Sequence, residues 1–391
     1  MTMPAQHPPL ALYIHFPWCE RKCPYCDFNS HETARGGFAE DDYLDALIRD
    51  LEFELPRVTG RRIISMFFGG GTPSLISSQG MNRLLASLRS LLQLGPEAEI
   101  TLEANPGSAE ARRFRDYRRA GINRLSIGVQ SFDDARLKSL GRIHTARQAR
   151  RAIVMAHEAG FENINLDLMY GLPGQSPVAA RQDLLTALEC EVAHISRYQL
   201  TVEPNTVFYS QPPELPDEDL CWTMQEEGNA LLQDRGYRQY EISAYAVEGR
   251  RCLHNLNYWE FGDYLGIGAG AHTKLTDVGT GSARRYARHR LPVQYMQAAG
   301  GASVIVREQE ISGRELLLEF MMNTMRLSDG VPAALLAARS GIPMAVAERD
   351  LQKAEQRGLI ARESCRLAST ALGRRYLNDL LQIFLDSRDD P

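Results

Sequence analysis

Cys19, Cys23 and Cys26 stand at a Cys-x3-Cys-x2-Cys spacing directly after an apolar run, Leu10 to Phe16. Three thiolates are one too few for a closed four-cysteine site. A cubic four-iron cluster takes one protein ligand per iron, so this triplet leaves one iron open to a ligand that is not protein. An open iron beside bound S-adenosylmethionine (SAM) can pass an electron to the sulfonium and release a 5′-deoxyadenosyl radical. The demanding chemistry then belongs to the cofactors. Thiolates also suit zinc. The triplet alone therefore leaves open a zinc site with His15 or His31 as fourth ligand, or three unconnected buried thiols.

The surrounding pattern must position these groups. Short β-rich runs at 10–16, 63–68, 100–104, 124–129, 164–169 and 195–201 alternate with amphipathic stretches at 41–54, 79–92, 109–120, 145–159 and 178–189. Such an alternation predicts an α/β fold, a parallel sheet curled into a full or partial barrel. Gly121 and Gly160 follow two of the stretches as C-terminal stops should. The polar signatures fall where the strands end: the cysteine loop, then Gly69-Gly70-Gly71-Thr72, then Glu103-Ala-Asn105-Pro106, Gln130-Ser131, and Asp167 running into Gly171-Leu-Pro-Gly174-Gln175. Barrels of this kind build their sites from the loops after the strands. Consecutive glycines let backbone approach a ligand where a Cβ would clash; as a tight turn they would need no ligand. Glu103, Gln130 and Asp167 could converge on ribose hydroxyls and the amino-acid end of SAM. Arg142 could pair with a carboxylate, and Tyr13 and Tyr25 offer stacking or hydrogen-bonding surfaces. Each alone has an ordinary reading as salt bridge, strand cap or packing.

A length of 391 residues admits two or three domains or one large barrel with an appendage. The net charge of −5 gives no support for general nucleic-acid binding. Seven cysteines, three of them within eight positions, fit a metallocluster in a reducing compartment better than a disulfide framework. Cys190, Cys221, Cys252 and Cys365 read as small core residues. No segment approaches the ~18 apolar residues of a membrane span, and the first residues lack a basic, cleavable leader. The expected location is cytoplasmic.

Further along, 203–219 is proline-rich and reads as an extended connection. A helix at 220–234 and a strand at 239–243 follow, then a second glycine-rich stretch, Gly266-Ile-Gly268-Ala-Gly270-Ala-His272. From about Val304 the pattern reads as helical and ends in a winged-helix-like module. The expected division is a barrel at 1–220, an extension and connection at 221–300, and a C-terminal module at 301–391. That module carries 12 Lys/Arg against 13 Asp/Glu, no excess for phosphate. Between them, His254-Asn255-Leu-Asn-Tyr258-Trp259 combines an imidazole, an amide and two large aromatics, which a haem would use as axial ligand and flat walls; a satisfied histidine at a domain junction is the plainer reading. Arg284, Arg285, Arg288 and Arg290 could meet haem propionates or form a solvated surface.

These residues resemble a known family. The cysteine triplet with Tyr25 is similar to the radical-SAM signature. Ser126-Ile-Gly-Val-Gln130-Ser131, Gly171-Leu-Pro-Gly-Gln175 and Tyr240-Glu241-Ile-Ser243 resemble oxygen-independent coproporphyrinogen III oxidase-like proteins, over nearly the whole chain. Two departures point to the haem chaperone branch, usually called HemW. Phe28 stands where the oxidase has a further cysteine, and Cys19 lies almost at the start of the chain. The 254–259 segment is similar to the HNxxYW motif of that branch. The resemblance implies a partial (βα)6 barrel with a helical, winged-helix-like C-terminal domain. It implies a [4Fe-4S] cluster on Cys19, Cys23 and Cys26, and SAM contacts by Tyr13, Gly70, Gly71, Thr72, Glu103, Gln130, Arg142 and Asp167, with Tyr25 beside them. His254 is the expected haem contact. The implied function is to bind haem and hand it to respiratory haemoproteins or cytochromes. The alternative is radical decarboxylation of coproporphyrinogen III propionates to vinyls. A homodimer and peripheral membrane attachment through a partner are both compatible with the sequence.

Overall fold

The first strand, β1 (Leu10–Phe16), shows how this sequence builds its sheet. Leu12, Ile14 and Phe16 are buried in the main apolar core, while Tyr13 and His15, on the alternate face, line a cavity. The same division recurs along the chain. In β4 (Arg124–Gln130) Leu125, Ile127 and Val129 belong to the core, and Arg124, Ser126 and Gln130 alternate with them. Interior parallel strands are usually apolar on both faces. Here one face packs against helices and the other surrounds a polar interior.

The computed structural model describes residues 7–34, 37–107, 111–277, 280–363 and 365–386. Between β1 and β4 lie β2 (Arg62–Gly70) and β3 (Gln93–Ala104); β5 (Asn163–Tyr170) and β6 (His194–Gln199) follow. All six pair in parallel, in the order β1-β2-β3-β4-β5-β6. Helices α1 (Glu40–Glu54), α2 (Ser78–Leu91), α3 (Phe114–Ala120), α4 (Ala146–Glu158) and α5 (Pro177–Leu188) form the crossovers. Their ends carry the expected chemistry. Thr145 and Gln148 make a capping box at α4. Gly121, at φ +109°, and Gly160, at φ +85°, close α3 and α4 in the left-handed region. The expected start of α3 at Ala109 lies outside the described residues.

The sheet continues past the six strands. After α6 (Glu218–Asp234), β7 (Arg238–Glu241) and β8 (Ala244–Ala246) form a hairpin against β6, where the sequence suggested a single strand at 239–243. Helix α7 (Leu253–Trp259) then leads to β9 (Asp263–Ile267), which pairs in parallel with β1. β10 (His272–Asp277), β11 (Ser282–Arg288) and β12 (Ile305–Ile311) add antiparallel strands outside it. The result is one 12-stranded sheet with antiparallel edges on both sides. The helical reading from Val304 is corrected here: Ile305–Ile311 is an edge strand, and the helix, α8 (Gly313–Thr324), starts only after it.

The extension is locked to the barrel by a buried ion network. Arg288 bonds Asp50 and Glu54 of α1 at 2.9 Å each, and Asp50 also accepts from the Tyr295 hydroxyl and the Gly268 amide. A second apolar core holds the C-terminal module. There the strand Val331–Pro332 leads into α9 (Leu335–Ser340) and α10 (Met344–Gln356), and pairs with Arg366–Ser369, which also pairs with Ile360–Ala361, in a three-stranded antiparallel wing. No helix among the described residues is long and apolar enough to cross a membrane.

Candidate functional site

The end of β2 is pressed against the cysteine loop. The Gly71 amide donates to the Phe16 carbonyl at 2.6 Å and the Thr72 amide to the Trp18 carbonyl at 2.7 Å. A Cβ at Gly71 would strike that Trp18 carbonyl, and one at Gly70, whose φ is +112°, would strike the His15 ring. These two glycines thus serve the approach of one strand end to the loop that carries the thiols. The loop is also covered from outside: the proline-rich connection contains one helical turn, Val207–Ser210, and its Phe208 amide donates to the Pro24 carbonyl at 3.0 Å.

One cavity collects most of the chemistry. Cys19, Cys23, Cys26, Tyr25, Gly70, Gly71, Thr72, Glu103, Gln130, Arg142 and Asp167 all line it. Arg142 lies 3.6 Å from the Cys23 sulfur and is held by Asn105 Oδ1 at 2.6 Å and the Gly128 carbonyl at 2.8 Å. Gln130 ends β4 at φ +66° beside a break in register, and its side-chain oxygen accepts from the Tyr198 hydroxyl at 2.9 Å. Glu103 accepts from the Gly70 amide at 3.1 Å. Burial, reinforced by nearby Asp167, pushes the Glu103 carboxyl up to about 8. Burial also raises Asp167, although Asn165 and Ser126 donate to it. Tyr13 sits one cavity over, beside Gly70 and Glu103.

The donor set, three free thiols on one loop, fits an iron–sulfur cluster. All three thiols are free, and burial raises those of Cys19 and Cys26, so ligation would release protons. Among the described residues no three His, Cys, Asp or Glu side chains converge to grip one metal. Zinc needs its donors about 2.0–2.3 Å from one centre, whereas a cube spreads them over separate irons. His15 is not a spare ligand. Its Nε2 donates to the Asn29 carbonyl at 2.9 Å, so its Nδ1 accepts from the Tyr13 hydroxyl at 3.0 Å.

Residues 13–185 match the Radical SAM superfamily, and residues 311–376 match the HemN C-terminal domain. A relative from Escherichia coli, named heme chaperone HemW, is 47% identical over 97% of this chain and 98% of its own. The chain belongs to the HemW family. A HemW of Mycobacterium tuberculosis is 34% identical over 98% of this chain and 96% of its own. The solved coproporphyrinogen III oxidase HemN of Escherichia coli is 24% identical with a TM-score of 0.81, covering 97% of this chain and 90% of that one, which shows the shared fold.

In this HemW-family chain the 254–259 segment is helix α7, at the base of the barrel interior. Glu99 pins its start, accepting from the Leu253 and His254 amides at 3.2 Å each. His254 is buried; its Nδ1 shares a 3.0 Å hydrogen bond with Ser65 Oγ, and its ring stacks on Phe67 at 4.9 Å. Burial, with Arg124 adding to it, drives its pKa down to about 3. Its Nε2 is buried without a protein partner, and the residue lines a polar chamber with Tyr13, Glu103, Arg124 and Asp167. Trp259 packs toward the C-terminal core under the Arg326 guanidinium, 4.4 Å from the ring.

The expected arginine cluster divides. Arg284 is an exposed partner of Glu308, Arg285 bonds Glu319 at 2.7 Å, Arg288 is fully buried, and only Arg290 is left open on a cavity wall. Cys221 and Cys252 are buried as expected, but Cys365 is exposed. Sequence reasoning passed over Asn105, Ser126, Asn165 and Tyr198. Asn105 and Ser126 were inside motifs already singled out. Asn165 was signalled by alternation with Ile164 and Leu166; Tyr198 carried no signal.

Proposed function

We propose that this chain is a cytoplasmic haem chaperone that holds a [4Fe-4S] cluster on Cys19, Cys23 and Cys26, binds SAM and haem, and passes haem to respiratory haemoproteins. The observation that carries the reading is the single cavity in which three free thiols meet Gly70, Gly71, Thr72, Glu103, Gln130, Arg142 and Asp167. The relatives' printed name, heme chaperone, supports the haem part. When bound, cluster and SAM would supply one-electron chemistry at the sulfonium. Arg142, 3.6 Å from the Cys23 sulfur, would balance the charge of a cluster-ligating thiolate. The Glu103 carboxyl, raised to about 8 by burial, can accept from an ammonium through its oxygen while the Gly70 amide orients it. Tyr198 fixes the Gln130 amide so that its nitrogen is free to donate.

The completeness of this set also keeps propionate decarboxylation of coproporphyrinogen III as the second reading. Purified, anaerobically reconstituted protein separates the two. Haem should bind and move to an apo-cytochrome, read by the shift of its Soret band, while coproporphyrinogen with SAM and reductant should yield no vinyl product. Vinyl product without haem transfer would reverse the ranking.

A further inference from the structure

We propose that haem is held on the flank of the barrel, in the cavity between the turn at 268–270 and β12, with His272 as iron ligand and Arg290 and Arg307 as partners of the two propionates. The inference rests on the haem reading above and assigns it a site. The flank cavity measures about 530 Å³, against about 340 Å³ for the chamber that His254 lines, and small-molecule pockets run from about 300 to 1,000 Å³. Its walls suit a flat apolar dianion. Phe28 and Val306 line it with 61% and 52% of their surface exposed. Arg290 and Arg307 are exposed cations on the same wall, whereas Arg288 is already neutralised by Asp50 and Glu54. Glu103, at the inner end, is the one carboxylate among the lining residues.

His272 begins β10 opposite Ala287 and is exposed toward this cavity. Partial burial and the surrounding arginines lower its pKa, and no hydrogen bond to another described residue occupies its ring. A neutral, unengaged imidazole is what iron ligation needs. His254 is neutral too and its Nε2 is unpartnered, but its ring is fully buried, bonded to Ser65 through Nδ1, and belongs to a smaller chamber lined by Glu103, Arg124, Asn165 and Asp167. The flank also communicates with the cysteine loop. The Asn29 amide donates to the carbonyls of Ala269 and Arg290, 2.9 Å each, and so ties both cavity walls to the segment that follows Cys26.

The test uses cluster-reconstituted protein titrated with ferric haem and, separately, with iron-free protoporphyrin. His272→Ala should change the Soret position and weaken haem about tenfold or more, with protoporphyrin affinity little altered. The Arg290→Ala/Arg307→Ala double variant should weaken both porphyrins about tenfold. His254→Ala should keep the wild-type haem spectrum. Equal iron and sulfide content across the variants shows that the fold is intact. His272→Ala with the wild-type spectrum and affinity, or His254→Ala with the spectrum lost, overturns the site alone. Wild-type protein that binds no haem overturns the haem reading together with it.

Discussion

His254 stands inside the barrel with Arg124, Ser126, Asn165 and Ser196 around a polar chamber; His272, on the flank, shares a larger cavity with Phe28, Val306, Arg290 and Arg307. Both spaces touch Tyr13 and Glu103. Their difference comes from how the strands were built. Parallel strands with one apolar face turn their polar residues inward, where each must find a partner: Asn165 donates to Ser126 and Asp167 and accepts from His194 and Ser196. The antiparallel extension is free of that constraint, because its outer strand faces solvent and can leave arginines and apolar side chains open. A small, polar, hydrogen-bonded group belongs to the first region and a large planar anion to the second.

The largest expected effect breaks the mouth of the barrel. Cys23→Ala should abolish iron–sulfur absorbance after anaerobic reconstitution; a full iron and sulfide complement in that variant would contradict cluster ligation. Next is the lock that holds the flank. Asp50→Ala leaves Arg288 buried without its main partner and should lower stability by about 3–5 kcal/mol, measured by urea unfolding. A loss under about 1 kcal/mol would mean that the network is relieved by water.

Glu103 sharpens the comparison through pH. Its folded carboxyl titrates near 8, above its ordinary value of 4.5, so the folded state keeps a proton that the unfolded chain has released. Stability should therefore be greatest below the ordinary value and fall by about 1.4 kcal/mol per pH unit as pH rises toward 8. Glu103→Gln should remove that slope; an unchanged slope would assign it to another group. The smallest effect is at His254, where His254→Ala should cost about 1–3 kcal/mol by stranding Ser65 and leave haem spectra as they are.

What could be read from the sequence follows the same division. Strand β1 was legible to the residue, because a buried apolar run ended at the cysteines. The mouth residues were legible because glycines and polar side chains recur at the ends of successive strands, although each one alone also has a structural use, as Gly70 and Gly71 do. β12 was not: Val306, Arg307, Glu308 and Glu310 are exposed on an edge strand, so no apolar alternation marks it. Nor could spacing distinguish the two imidazoles. His254 is buried by Phe67 and Ser65, which come from a strand nearly two hundred positions earlier, and His272 is left open by a turn that Asn29 braces from across the chain.

The most direct measurement is haem binding to reconstituted protein with and without saturating SAM. Haem on the flank and SAM in the cysteine-lined cavity, whose walls share only Phe28, Gly70 and Glu103, predict that both ligands are bound together, with haem affinity changing by less than about tenfold. Displacement of haem by SAM, one for one, would place them in a single space and contradict the assignment of haem to the flank.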